Sequence, residues 1–205
     1  MRNVEAKFRL DEPETQHGDP LAAVRARALS LGARVQGRLE QVDTYFFAPN
    51  GRLKLREITR DGQAPEAWLI GYQRADAQGA RLSAYEMAPV TDPAALLAVL
   101  RPAMGVRARV VKSRDLLLLR HTRIHLDTVR GLGSFVELET LVGAVDSRRG
   151  AEAQGVASEA EGARELAEIA VGLGLSVEDG LAGSYADLLE GARGLGEADE
   201  MEASE

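Results

Sequence analysis

Residues 2–10 alternate without a break. Val4, Ala6, Phe8 and Leu10 fall on one side of an extended chain, and Asn3, Glu5, Lys7 and Arg9 fall on the other. A period of two specifies a β-strand with one buried face. The same alternation recurs in Arg52-Leu53-Lys54-Leu55-Arg56 and in Val111-Lys112-Ser113-Arg114. Each stretch offers a lysine and an arginine, and together they hold all three lysines among the chain's 25 basic residues. One such strand alone reads as a solvated sheet face with cross-strand ion pairs. Three of them, joined by strands that carry carboxylates, suggest a sheet whose polar face encloses an anion, because buried charge is costly unless something compensates it.

The order of elements supports a closed sheet. Asp19-Pro20 is an N-cap followed by proline at the first helical position, and Leu21, Val24, Ala28 and Leu31 continue at helical spacing up to Gly32. Residues 36–47 return to a β pattern, Asn50-Gly51 is a hairpin turn, and the partner strand runs over 52–60. Strands follow near 66–75 and 81–88. Asp92-Pro93 opens a second helix with Leu96, Leu97 and Leu100 on its apolar side. Segments near 106–114, 116–121, 123–129 and 134–142 are β-like. The expected class is α+β: a closed antiparallel barrel of about eight strands, with flanking helices, over residues 1–142. Residues 143–162, rich in Ala, Gly and Ser, read as a linker. Residues 163–190 read as a C-terminal helical appendage, with a helix near 163–173 and a short helical piece at 184–189. Residues 191–205 read as a disordered acidic tail.

Composition excludes several classes. There is no cysteine, hence neither a disulfide framework nor a thiolate metal site. The longest aliphatic run, Leu116 to Leu119, is far short of a membrane span, and no apolar leader follows Met1. A soluble cytoplasmic protein is expected, with no membrane partner. Residues 1–150 carry 23 Lys and Arg against 18 Asp and Glu, and residues 151–205 carry 2 against 14, giving the net charge of −7. A basic body suits an anionic ligand, and the acidic tail argues against nucleic acid.

Carboxylates also recur on the polar faces. Glu5 stands two residues before Lys7, Glu137 and Glu139 flank Leu138, and Asp127 lies upstream of them. Carboxylates two apart on a strand point the same way, about 7 Å apart, a spacing suited to a hard cation such as Mg²⁺ or Mn²⁺. Arg and Lys on neighbouring strands would neutralise phosphate oxygens, Arg bidentately and Lys as a point charge. His125 shares a face with Asp127 and is read as a structural histidine rather than a catalytic base. Tyr45, Phe46, Phe47 and Trp68 are read as core.

Asn3-Val4-Glu5-Ala6-Lys7 resembles the E-x-E-x-K signature of the CYTH superfamily, the triphosphate tunnel metalloenzymes. Asp43 to Phe46, Leu53 to Arg56, Lys112 to Arg114 and the run from His125 to Glu139 are similar to further family segments. Ser184 to Leu189 resembles the closing segment of bacterial members labelled class IV adenylate cyclases. The resemblance implies an eight-stranded tunnel, Mg²⁺ or Mn²⁺, and a small-molecule triphosphate, either ATP or inorganic triphosphate. By motif position, Glu5, Glu137 and Glu139 would bind metal. Lys7, Lys54, Arg56, Arg74, Lys112 and Arg114 would bind phosphate, and Glu5, Lys7 and Asp127 would serve catalysis. The implied activity is cyclase-like, ATP to cyclic AMP and pyrophosphate. Its alternatives are an inorganic, nucleoside or thiamine triphosphatase and a non-catalytic binding module. One departure is plain: the first Glu of the signature is Asn3, whose amide oxygen can ligate a cation but adds no charge. A homodimer is left open.

Overall fold

A computed structural model describes residues 2–10, 19–74, 78–143 and 158–192. The strands are β1 (Arg2–Arg9), β2 (Arg34–Phe46), β3 (Arg52–Thr59), β4 (Glu66–Arg74), β5 (Arg81–Pro89), β6 (Val106–Leu119), β7 (Thr122–Val129) and β8 (Gly133–Val142). They close into one antiparallel barrel in the order β1-β5-β4-β3-β2-β6-β7-β8. Helices α1 (Pro20–Ser30), α2 (Pro93–Met104) and α3 (Glu159–Gly172), a 3-10 turn at Val177–Asp179, and a last helix, α4, over 185–192 flank it. Among the described residues, no helix is long and apolar enough to cross a membrane.

Local chemistry sets the boundaries. Asp19 caps α1 by accepting from Leu21 N at 2.9 Å, and Asp92 caps α2 by accepting from Ala95 N at 2.9 Å. In the β2–β3 turn, Gly51 has φ +66°, and a Cβ there would sit 2.6 Å from the Tyr72 carbonyl oxygen, so only glycine fits. The two strands expected at 106–114 and 116–121 are one continuous β6. Asp115 does not break it because that side chain faces outward and accepts from Arg25 of α1 at 2.6 Å.

The larger apolar cluster lies outside the barrel, and a smaller one, with Tyr45, Ala108, Val110, Val129, Phe135 and Tyr185, lies on inward faces. Val4, Ala6, Phe8, Leu126, Val136 and Leu138 on the outer strand faces pack against Leu21, Val24 and Ala28 of α1 and against Leu166, Ile169 and Ala170 of α3. Each fully buried aliphatic side chain contributes about 1.5–3 kcal/mol, so the helices stabilise the wall from outside. Glu165 fastens α3 to the β6–β7 turn, accepting from His121 N at 2.9 Å and from the Thr122 hydroxyl at 2.8 Å.

The expected linker at 143–162 is corrected at its C-terminal end. Helix α3 starts at Glu159, opened by a capping box: Ser158 Oγ accepts from Glu161 N at 3.3 Å, and the Glu161 carboxylate accepts from Ser158 N at 2.8 Å. Gly162 is a packing glycine rather than a linker one. A Cβ there would meet Val142 Cγ1 at 2.3 Å, so its absence lets α3 settle on β8. Residues 144–157 of the expected linker and 193–205 of the expected tail lie outside the described residues.

Candidate functional site

Direct partners across an antiparallel pair share a face, so the register alone assembles the interior. Glu5 stands opposite Glu139, and Lys7 opposite Glu137. Asp43 stands opposite Arg56, Tyr45 opposite Lys54, Arg114 opposite Asp127, and His125 opposite Glu137. Most of these side chains line a cavity of about 180 Å³ whose wall includes Asn3, Glu5, Lys7, Lys54, Arg56, Lys112, Arg123, Glu137 and Glu139, while Arg114, Asp127 and His125 are buried without being among its lining residues. Lys7, at 2% exposure, is among the largest fully buried side chains of the molecule. The three lysines of the sequence therefore face inward, as their strands' alternation demanded.

The cations are held in two matching units. In the first, Asp43 of β2 accepts from Arg56 Nε at 2.8 Å, from Arg56 Nη2 at 2.7 Å and from Lys54 Nζ at 3.0 Å. In the second, Asp127 of β7 accepts from Arg114 Nε at 2.6 Å, from Arg114 Nη2 at 2.7 Å and from Lys112 Nζ at 2.8 Å. Each unit is a Lys-x-Arg strand segment clamped by one aspartate on the neighbouring strand. Burial alone would raise both aspartates, but the adjoining Arg and Lys outweigh it and hold both carboxyls well below the usual range. Burial together with the neighbouring guanidinium works the other way on the lysines. It pushes Lys54 down to about 7 and Lys112 down to about 8. These lysines are thus poised to gain positive charge when an anion arrives.

A second cluster sits on the adjoining strands. His125, Glu137 and Glu139 place one ligand atom each within 4.8 Å of one another. Glu137 also receives Arg114 Nη2 at 2.8 Å and Lys7 Nζ at 3.4 Å, while Arg123 stands 3.7 Å from Glu139. Burial raises Glu137, but the Lys7 and Arg114 charges keep it well below the carboxylate range. Burial and the Arg114 charge push His125 below its ordinary value, so its imidazole is neutral and keeps a lone pair. Two buried atoms here have no hydrogen-bond partner, Asn3 Oδ1 and His125 Nδ1. Such groups are rare in native interiors, and an ion or an ordered water is among the physical reasons for them. Two carboxylates, an imidazole and an amide oxygen fit a divalent cation.

The C-terminal segment packs across one end of the barrel. Leu181 N donates to Lys7 O at 2.7 Å, and Arg81 Nη1 donates to Leu181 O at 2.6 Å. Tyr185 then enters the interior. Its hydroxyl donates to Asp127 at 2.9 Å, and its ring lies 3.8 Å from Lys7 Nζ and 4.6 Å from Lys112 Nζ. Asp187 accepts from Ser184 N at 2.6 Å and from Arg107 at 2.5 Å, and it pairs with Arg52 at 3.0 Å, which fixes α4 to the rim.

The structure brings together Glu5, Lys7, Lys54, Arg56, Lys112, Arg114, Asp127, Glu137 and Glu139. It puts Arg74 on β4 opposite Ser83, and the Arg74 side chain lies outside what is described. Asp127 differs in character from the expectation of a catalytic group. It is 0% exposed, and its two oxygens receive Arg114, Lys112 and Tyr185, the contacts of a residue that positions cations. Phe47, read as core, is 60% exposed, and Tyr45 faces the cavity beside Lys54 rather than packing only as core. Sequence reasoning missed the clamp role of Asp43, and it missed Arg81, Arg123 and Tyr185. The alternation of Gln41, Asp43 and Tyr45 opposite Lys54 and Arg56 was the available signal for the first. The ring of Tyr185 reaches the interior only through tertiary packing.

A closed eight-stranded antiparallel barrel that keeps its ionisable side chains inside is a tunnel-type barrel. The CYTH domain model matches residues 1–185, and the chain belongs to the CYTH domain family. No curated protein matches the sequence. Among solved structures, the PH1012 protein from Pyrococcus horikoshii OT3 is similar with a TM-score of 0.69 at 22% identity, over 91% of this chain and 98% of that one. The conserved hypothetical protein Pfu-838710-001 from Pyrococcus furiosus gives 0.66 at 21%, over 91% and 99%. A Vibrio parahaemolyticus protein provisionally named an adenylate cyclase gives 0.64 at 19%, over 92% and 97%. At such identities the likeness speaks to the fold.

Proposed function

We propose that this protein is a divalent-metal-dependent enzyme acting on a triphosphate. The observation that carries this reading is the pairing of two aspartate-clamped Lys-x-Arg units with the His125, Glu137 and Glu139 cluster inside one barrel. A triphosphate carries several negative charges spread along a short chain, and only spaced, fixed cations satisfy all of them without reorganisation. Arg56 spends two of its five N–H donors on Asp43, which leaves the guanidinium aimed yet not exhausted. Glu137, Glu139 and Glu5 would hold Mg²⁺ or Mn²⁺. When bound, the metal would neutralise charge on the phosphoryl oxygens. Lys7, Lys54, Lys112 and Arg114 would fix the phosphates, and Asp43 and Asp127 would keep those cations in place.

The first reading of the chemistry is cyclisation. The 3′-hydroxyl oxygen of ATP forms a bond to the α-phosphorus, the bond to the bridging oxygen breaks, pyrophosphate leaves, and the hydroxyl proton passes to a base, for which Glu5 is the candidate. The sequence resemblance and the fold likeness to the Vibrio protein support this reading. The second reading is hydrolysis, in which water attacks a terminal phosphorus and orthophosphate leaves. The cavity favours it: about 180 Å³ is below the roughly 300–1,000 Å³ of sites that enclose a drug-sized ligand, so it matches inorganic triphosphate better than a whole nucleotide. Incubation with Mg²⁺ or Mn²⁺ and either ATP or inorganic triphosphate separates the two. Cyclic AMP with pyrophosphate establishes the cyclase, and orthophosphate establishes the hydrolase. Tight binding without turnover under either metal would reject both in favour of a binding module.

A further inference from the structure

We infer that His125 is a direct metal ligand and that its nitrogen makes the site select a first-row transition ion over Mg²⁺. The inference rests on the metal-site part of the proposed function. It concerns the identity of the ion and is independent of which reaction follows.

His125 Nδ1 lies 3.6 Å from Glu137 Oε2 and 3.8 Å from Glu139 Oε1. Both separations are too long for hydrogen bonds. They are close to what ligation produces. Two donor atoms each about 2.1 Å from one ion, and about 120° apart as seen from it, are separated by about 3.6 Å. The side chain is 4% exposed, so water does not freely satisfy this nitrogen, and no described group does either. A histidine kept for structure normally shows the opposite, with its ring nitrogens engaged by carbonyls or carboxylates.

A second observation points to the same ligand. Asn3 Oδ1 is also buried without a partner, on a residue 3% exposed that lines the cavity together with Glu137 and Glu139. Glu5, two residues on, stands directly opposite Glu139, so Asn3 is a diagonal neighbour of that carboxylate. Two orphaned polar atoms of different strands flank one carboxylate pair. Of the pair, Glu137 is the more committed, to Arg114 at 2.8 Å and Lys7 at 3.4 Å. Glu139 meets the Arg123 guanidinium at the longer distance of 3.7 Å. The ion therefore sits toward Glu139 and His125 rather than toward Lys7.

Donor chemistry then sets the preference. Mg²⁺ demands oxygen and retains water, whereas imidazole suits the later first-row ions. A site with one nitrogen among oxygens should bind Mn²⁺, and Co²⁺ more so, about tenfold or more tighter than Mg²⁺.

The test uses the whole protein with metal alone. Titration calorimetry gives affinities for Mg²⁺, Mn²⁺ and Co²⁺, and pulsed electron paramagnetic resonance on the Mn²⁺-loaded protein reads nitrogen-14 coupling from a bound imidazole. The expected result is Mn²⁺ and Co²⁺ preference, an imidazole signal in the wild type, and loss of both in His125→Gln, which still binds Mg²⁺. Glu139→Gln should lose every ion. Mn²⁺ binding without nitrogen coupling in the wild type overturns the inference while leaving the oxygen site of the proposed function intact. Failure of all three ions to bind overturns both. The nitrogen signal is read on the unmodified chain, so a misfolded variant does not weaken the test. Metal binding with the signal present but no turnover would sustain this inference and reject the enzyme.

Discussion

Replacing Asp127 by Asn separates a residue that holds cations from one that performs chemistry. Asp127 is fully buried and receives Arg114 Nε at 2.6 Å, Arg114 Nη2 at 2.7 Å, Lys112 Nζ at 2.8 Å and the Tyr185 hydroxyl at 2.9 Å. An amide of the same shape offers one acceptor and one donor group, so at least one cation faces a donor. It also removes the carboxylate that holds both cations of this Lys-x-Arg unit, leaving Arg114 with Glu137 at 2.8 Å. Breaking a buried pair by deleting one partner costs about 3–5 kcal/mol. For a chain of this size each kcal/mol is about 2–4 °C in melting temperature, so D127N should melt about 6–20 °C lower. Inorganic triphosphate supplies the missing negative charge, so it should raise the melting temperature of D127N by more than that of the wild type. Differential scanning calorimetry with and without triphosphate reads both effects. A variant that melts within about 2 °C of the wild type yet loses turnover would refute the reasoning, because the carboxylate would then act on the substrate rather than on its own cations.

Three further perturbations follow from the same geometry. Lys54 sits at about 7 in the folded protein, below its ordinary 10.5. Between those values the unfolded chain holds the extra proton, so this lysine's contribution to stability rises with pH. Triphosphate binding has the opposite sign. It requires the charged form, so it should take up protons near pH 8 and weaken by up to about tenfold per pH unit above 7 for each such lysine. Calorimetry in buffers of different ionisation heat reads the uptake, and its absence would place the phosphates elsewhere. Asn3→Glu should tighten Mn²⁺ binding, since it turns a partnerless amide oxygen into a charged ligand; unchanged affinity would remove Asn3 from the metal site. Gly162→Ala should lower the melting temperature by about 2–12 °C, because overpacking costs about 1–3 kcal/mol and its Cβ would fall 2.3 Å from Val142 Cγ1.

The sequence was most legible where a local rule and a tertiary demand coincide. Alternation in β1, β3 and β6 specified both a strand and an inward lysine, because a period of two leaves each side chain only two faces. The caps at Asp19 and Asp92 were readable because the cap and the following proline are adjacent in the chain. Helix α3 was harder. Its capping box lies in an Ala- and Gly-rich stretch, and Gly162 is explained only by Val142 on β8. The roles of Tyr185 and Arg81 were not readable, since each depends on where the chain returns in space, 58 residues from Asp127 to Tyr185 and 100 from Arg81 to Leu181. Alternation puts His125 on the face of Asp127 and says nothing of its partnerless Nδ1. Periodicity reports direction, but a partnerless nitrogen appears only when neighbouring strands are in register.

The inward charges and the outward core are consequences of one constraint. A barrel wall has two faces, and the larger apolar cluster takes the outer one while a smaller cluster fills part of the inner one. Here α1 and α3 cover the outer face, which leaves ionisable groups for the inner one. Uncompensated charge there would cost more than the helices contribute, so each Lys-x-Arg unit needs a fixed counter-charge when no ligand is bound. Asp43 and Asp127 supply it at a price in net field, since a neutralised cavity would repel nothing and attract little. The balance is kept incomplete: among the described residues lining the cavity, Lys7, Lys54, Arg56, Lys112 and Arg123 face only Glu5, Asp43, Glu137 and Glu139. The fully buried Arg114 and Asp127 pair adds no net charge. A residual positive field in a low-dielectric interior, carried on donors whose direction the aspartates have already set, costs little further ordering when a polyanion enters. The same two aspartates that allow the empty barrel to fold therefore also determine where a phosphate chain would lie.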